Sequence, residues 1–363
     1  MTQSIALVSL RFSPGHASHL LAYAGLVRSA GFEVSYILDE PYLSFADFAA
    51  DAQVASAQQY REDPDCLAFG KAIFYNPALR NAPVARQMRR RGIDVIYIFH
   101  EPVPIRYRLA EGWKEILKLI VAKFSSIAML RASSAVLVGS GYARRLYDRH
   151  FARYNSNVFT FPLLFEDETG PDPSRNVNGQ RPCFSFLGHA VKAHDFDGFV
   201  RFAKYAVRTG SSIPFLVATR NDLTAQLARD KELARHAREG RIQIQHGRPL
   251  SNQEMNAFAA KSFCTWGVYK CSTQSGVLAR SFMTGTPVLA NRTGSFPEYV
   301  RAGVNGEFVD SADRLETMLQ RAEAIRSNLA AYVEGARRTF LDTFDYPANQ
   351  KRFVEILAQA GKE

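Results

Sequence analysis

The stretch Ser272-Thr-Gln-Ser-Gly-Val-Leu-Ala-Arg-Ser-Phe-Met-Thr-Gly-Thr-Pro-Val-Leu-Ala-Asn291 continues as Arg-Thr-Gly-Ser-Phe-Pro-Glu-Tyr-Val-Arg-Ala-Gly-Val-Asn-Gly-Glu-Phe-Val309. Its small polar residues Gln274, Ser275 and Gly276 stand immediately before an apolar helical run. Gly285-Thr286-Pro287-Val288 then turns the chain into a strand that reaches Ala290. A helix feeding a short apolar strand is part of a βα repeat. Small residues at a helix start let backbone N–H groups approach an anion such as a diphosphate. The plainer alternative is a set of turn residues that only opens a helix.

The same rhythm runs outward in both directions. Upstream, Cys183–Leu187, Ile213–Ala218 and Ile242–Gln245 read as strands with helices between them, and Ser251 to Glu254 has the spacing of a capping box. Further back, Ile5–Leu10 is an apolar strand, His19–Ala30 a helix with a left-handed cap expected at Gly31, and Phe32–Leu38 a second strand. Asp94–Phe99, a helix over about 111–132, Ala135–Gly139, a helix over 141–150 and Val158–Pro162 complete this half. Strands alternating with helices imply parallel crossovers and open doubly wound sheets.

Between Glu166 and Arg181 the composition turns polar and rich in Pro and Gly, as in a linker. The expected fold is therefore α/β, with two Rossmann-like doubly wound parallel-sheet domains facing a cleft. Residues 1–165 form the first domain, 166–181 the linker and 182–343 the second domain, and a C-terminal helix in 344–363 crosses back to the first.

Length agrees, because 363 residues exceed one ordinary core. With 47% hydrophobic and 22% charged residues the chain is a folded, soluble type. The cysteines at 66, 183, 264 and 271 have no zinc-like spacing, and reduced thiols are expected. The N-terminus lacks a signal-peptide pattern, and no apolar run reaches the length of a membrane span. A cytoplasmic location follows as the expectation. The formal charge of +10 points to anionic partners. No RRM, KH, zinc-finger or helix-turn-helix signature accompanies it, so nucleic acid is not an expected partner.

The 272–309 segment resembles the donor-binding segment of GT-B glycosyltransferases, especially family 4 and related bacterial exopolysaccharide glycosyltransferases. The resemblance rests on Gly285-Thr286-Pro287-Val288, Pro297-Glu298 and Gly303-Val304-Asn305-Gly306, in order and at the family's spacing. Phe186-Leu187-Gly188 stands where the family opens its second domain, and the first βα unit ends in Ala30-Gly31-Phe32 as the family's does. The resemblance implies a UDP- or GDP-sugar donor and no further cofactor. It also implies a glycan or polyprenyl-diphosphate-linked acceptor in bacterial surface or exopolysaccharide synthesis.

Donor-binding residues implied by it are Gly188, His189, His194, Gln274, Ser275, Gly276, Val277 and Arg280. The family's pair of glutamates eight residues apart falls here on Ser272 and Arg280, so neither acid is present. The family's phosphate-neutralising Arg and Lys follow the Gly of the domain opening. Here that segment reads Gly188-His-Ala-Val-Lys-Ala-His194, so Lys192 or the two histidines take that part. No Asp-x-Asp metal motif stands in a suitable loop, and metal independence is expected.

Phe99-His100-Glu101-Pro102 follows a strand whose carboxyl end should meet ligand. Glu101 is the candidate general base and His100 a sugar or phosphate contact; a loop that merely caps the strand is the alternative. Arg11, Gly15 and His16, after the first strand, are candidate acceptor contacts.

Two features suggest an acceptor at an anionic inner-membrane surface: the basic cluster Arg86–Arg91, and the amphipathic basic stretch Trp113–Phe124; a solvated charge run and a core helix are the plainer alternatives. The runner-up function is a GT-B subunit without catalysis that binds a sugar nucleotide or a partner.

Overall fold

A computed structural model describes residues 4–13, 16–44, 48, 53–75, 77–103, 113–169, 181–310 and 314–361. The chain divides into two compact units, one of residues 1–166 with 343–363 and the other of residues 167–342.

The first unit is built on seven parallel strands. They are β1 (Ser4–Ser9), β2 (Glu33–Leu38), β3 (Gln53–Ser56), β4 (Lys71–Phe74), β5 (Asp94–Ile98), β6 (Ala135–Val138) and β7 (Val158–Thr160). Their spatial order is β3-β2-β1-β4-β5-β6-β7, so the winding reverses between β1 and β4. The crossovers carry α1 (Ala17–Ser29), α2 (Ala57–Glu62), α3 (Asn81–Arg90), α4 (Trp113–Ala132) and α5 (Gly141–His150).

Side chains alternate across β1. Ile5 and Leu7 enter one apolar layer with Leu20, Tyr23 and Val27 of α1. Ala6 and Val8 enter the other with Ala85 and Met88 of α3 and Met129 and Leu130 of α4. Both faces are covered, as a parallel sheet requires. Helix α1 stops where Gly31 takes φ 86 and Phe32 N–H donates to the Val27 carbonyl, a left-handed cap.

The second unit has six parallel strands: β8 (Cys183–Leu187), β9 (Phe215–Ala218), β10 (Ile242–Gln245), β11 (Ser262–Gly267), β12 (Val288–Ala290) and β13 (Gly306–Phe308). Their order is β10-β9-β8-β11-β12-β13, again reversing beside the first strand. Its helices are α6 (Phe196–Arg208), α7 (Thr224–Arg229), α8 (Lys231–Arg238), α9 (Asn252–Ala260), α10 (Gly276–Met283), α11 (Phe296–Tyr299), α12 (Leu315–Ser327) and α13 (Leu329–Thr343). Ser251 and Glu254 form the reciprocal capping box at the start of α9.

The last helix, α14 (Gln350–Ala360), returns to the first unit. Phe353, Ile356, Leu357 and Ala360 pack in the same apolar layer as α1. Most of the linker expected at 166–181 falls on 170–180, outside the described residues.

Candidate functional site

In an open parallel sheet, ligands gather beyond the carboxyl ends of the strands where the winding reverses. Each unit has one such place, and each carries chemically capable side chains.

In the second unit the place lies beyond β8 and β11. Strand β8 ends at Leu187, and Gly188 turns the chain sharply at φ 97. A Cβ there would meet the Val277 side chain at 3.0 Å, so the absence of a side chain lets this turn approach the start of α10. Ser275 caps α10, its hydroxyl accepting from Leu278 N–H at 3.2 Å. Gln274, Ser275, Gly276 and Val277 are half-buried and so reachable.

The loop after Gly188 is stitched to the end of β11. Lys270 N–H donates to the Ala193 carbonyl, and Lys270 pairs with Asp195 at 2.8 Å. Trp266 Nε1–H donates to the His194 carbonyl at 3.2 Å. The His194 ring stacks on Tyr269 with centroids 4.3 Å apart, and its Nδ1 contacts the His189 carbonyl at 2.9 Å. Burial lowers the pKa of His194.

His189 is pushed down to about 4, first by burial, then by the Arg220 guanidinium and His194. Arg220 follows β9, which runs beside β8 with Leu187 paired to Ala218. Counting on from that register sets Arg220 beside His189, and Ala190 N–H donating to Asn221 Oδ1 ties the two loops together. Sequence reasoning missed Arg220. Nothing local marks it; only the pairing of β8 with β9 brings it to the site. Lys192 lies exposed in a short 3-10 turn over 192–194.

Arg280 has a different setting. Its guanidinium is buried and held by Glu168 at 2.9 Å, Asn256 Oδ1 at 2.6 Å and Asn252 Oδ1 at 3.2 Å. A donor contact by Arg280 would have to draw it out of that set.

In the first unit the corresponding place lies beyond β1 and β4. His16, His19, Tyr75 and His100 form one ring cluster there, His16 and His100 stacked at 6.0 Å and Tyr75 and His100 edge-on at 4.7 Å. His19 Nδ1 meets the Leu164 carbonyl at 2.8 Å, so His19 is a buried part of the framework. The Nε2 of His100 lies 2.7 Å from the Tyr75 carbonyl, which can only accept, so this nitrogen carries the hydrogen. Burial and His16 push His100 down to about 4. At neutral pH it is therefore uncharged.

Glu101 is exposed beside it. Arg11 is exposed after β1, where Phe12 N–H donates to Asp39 Oδ2 at 2.8 Å. Gly15 lies outside the described residues. The structure thus brings His16 and His100 together in one unit, and Gly188, His189, His194 and Val277 together in the other.

His100 and His189, the two histidines pushed down to about 4, have a consequence for stability. Unfolded, each binds a proton below about 6.5; folded, each stays neutral down to about 4. Stability is therefore fully present above pH 6.5 and falls as the pH drops toward 4. Melting curves across that window should fall less steeply for the His100→Gln/His189→Gln double variant. Parallel curves would show that neither ring is held neutral by the fold.

Among the described residues no group of three His, Cys, Asp or Glu is placed to hold a metal ion, and no helix is long and apolar enough to cross a membrane.

No family model matches the chain, and no curated protein matches it. Solved structures do. HepE of Anabaena, in complex with UDP and glucose, superposes with a TM-score of 0.67 at 14% identity, over 98% of this chain and 100% of that one. Sucrose-phosphate synthase of Thermosynechococcus elongatus gives 0.70 at 14%, over 98% of each chain. The catalytic domain of starch synthase IV from Arabidopsis thaliana, bound to ADP and acarbose, gives 0.69 at 9%, over 100% of each. At such identities the likeness establishes architecture: two Rossmann-like parallel-sheet domains in the GT-B fold.

Proposed function

We propose that the protein is a glycosyltransferase. It moves a hexose-type sugar from a UDP- or GDP-sugar to a glycan or polyprenyl-diphosphate-linked acceptor in bacterial surface or exopolysaccharide synthesis. The observation that carries this reading is the convergence of Gly188, the His189–His194 loop and the α10 start at the winding reversal of a fold shared with solved glycosyltransferases. A Ser-capped helix start and backbone N–H groups suit a diphosphate.

In this reading the donor lies against Gly188, His189, His194, Gln274, Ser275, Gly276 and Val277. Arg220 and Lys192 supply the positive charge that the leaving diphosphate needs, with no metal ion. Arg280 serves the donor indirectly, by fastening α10 to α9 through Asn252 and Asn256. On the first unit Arg11, Gly15 and His16 meet the acceptor, Glu101 takes its proton and His100 orients it. The acceptor is carried at an anionic membrane surface on the cytoplasmic side.

The test is thermal stabilisation of the purified protein by UDP, GDP, ADP and CMP, with and without Mg²⁺. One diphosphate at about a hundred times its Kd should add about 2.7 kcal/mol, equally with EDTA. Arg220→Ala should weaken that nucleotide by about tenfold or more, the usual cost of a charge-assisted contact. No shift with any nucleotide would sink the donor site.

The second reading, a sugar-nucleotide-binding subunit without catalysis, is favoured by Ser272 and Arg280 in the glutamate positions. It predicts the same melting shift with no release of UDP from UDP-sugar.

A further inference from the structure

Helix α4 has two unlike halves. From Ser126 onward it enters the core, with Met129 and Leu130 fully buried. Its first three turns leave one apolar stripe uncovered, while Ile116, Leu119 and Ile120 are half-buried. Trp113 is 70% exposed, Leu117 54%, Val121 42% and Phe124 68%. At about 100° per residue these four side chains fall within an arc of about 80°. Lys114 and Lys118 border that arc on one side and Lys123 on the other, all three exposed. An apolar stripe edged by lysines is the pattern of a helix lying in a lipid interface.

The position is as telling as the pattern. Ser125 Oγ donates to the Ala78 carbonyl, just before α3, and Arg89 near the end of α3 reaches Ser134 just after α4. The two helices therefore run side by side in the same direction, and the turns 113–124 project past the start of α3. Because α3 starts after β4 ends, that is the sheet edge where Tyr75, His100 and Glu101 stand. Exposed Leu79 and Arg80 lie at the same corner. The Arg86–Arg91 cluster does not: it lies toward the other end of α3, where Arg89 pairs with Asp94 and Arg91 with Asp65.

Arg80, Lys114, Lys118 and Lys123 are exposed cations at that corner, and the surrounding chain is basic as a whole. Residues 80–153 contain fifteen Lys and Arg against five Asp and Glu, an excess equal to that of the entire chain.

We propose that the first three turns of α4 dock on an anionic bilayer, Trp113, Leu117, Val121 and Phe124 entering the acyl boundary while Lys114, Lys118 and Lys123 meet the headgroups. Opposite charge and an aromatic at each end of the stripe select a lipid surface over a second copy of this chain, which would bring like charges together. This deepens the membrane-acceptor part of the reading above but rests on the helix alone.

Tryptophan emission tests it. The chain has two tryptophans, and Trp266 is buried, so a change on adding vesicles reports on Trp113. Vesicles of phosphatidylcholine with phosphatidylglycerol should shift emission to the blue and pellet the protein; phosphatidylcholine alone should do so less. Trp113→Ser/Phe124→Ser should reduce pelleting by about tenfold or more. Lys114→Glu/Lys118→Glu should reduce binding to anionic vesicles by at least about 25-fold, each lysine contributing about fivefold.

All four positions are exposed, so both variants should melt like the wild type. Unmoved emission and no pelleting overturn the proposal. So does a dimer in sedimentation velocity that Trp113→Ser/Phe124→Ser abolishes without any vesicle binding. The UDP-induced melting shift is read on the same variants: its absence from all forms, with vesicle binding intact, removes the donor reading and leaves this one.

Discussion

Gly294→Ala is expected to destabilise the second unit by about 2–5 kcal/mol and to remove nucleotide binding with it. Gly294 follows β12 at φ 64, where an L side chain is strained from the outset. Steric overlap costs more than that strain. A Cβ on Gly294 would lie 1.6 Å from the Ser272 carbonyl oxygen and 2.7 Å from its carbon. These are backbone atoms and have no rotamer to escape into. The loop over 272–275 would have to move, and that loop delivers Ser275 to the N-cap of α10. Gly240→Ala is the matched control, with φ 71 and nothing within 4 Å of the added methyl. It should cost only about 1 kcal/mol. Thermal unfolding with and without UDP separates the two, and similar losses at both positions would show that the loop yields without consequence.

Glu101→Gln is expected to lower turnover by about 10²–10⁴-fold, the usual contribution of a positioned general base. The substitution keeps size and removes the proton-accepting charge. UDP-induced stabilisation should be unchanged, because the proposed donor residues belong to the other unit. His100→Gln should raise the KM for the acceptor more than it lowers kcat. The imidazole is already uncharged at neutral pH, and the proposed part for it is to orient the acceptor. Release of UDP from UDP-sugar measures both. Turnover unaltered in Glu101→Gln would reduce the His100-Glu101-Pro102 loop to a strand cap.

The long amphipathic and apolar elements are legible because their signal is local. The α1 helix with its Gly31 cap and the strands Cys183–Leu187 and Ile242–Gln245 lie where periodicity and turn chemistry set them. Strand β4 is not legible, although it is central to its sheet. Lys71-Ala-Ile-Phe74 opens on a charge and has neither the alternation of Ile242-Gln-Ile-Gln245 nor a β-branched run to mark it. Strand β11 is hidden in another way. Ser262–Gly267 is Ser-Phe-Cys-Thr-Trp-Gly, buried on both faces, with no alternation to mark it.

The candidate sites divide along the same line. Gly188, Ser275 and the histidines at 189, 194, 16 and 100 can be named from sequence because loops after strands hold ligand-facing residues in such folds. The engagement of Arg280 by Glu168 and Asn256 cannot be, since its partners are 112 and 24 residues away along the chain.

By itself the sequence determined the class of this protein: two βα-alternating domains, a small-residue helix start at Ser275-Gly276 and a basic chain. Those properties reside in neighbouring residues, and hydrophobic period, caps and small-residue turns express them locally. Tertiary structure alone decided which cation faces His189, which arginine is taken up by the fold, and which half of α4 is left outside the core. Each of these depends on strand order and helix packing, which bring together groups that no local pattern connects.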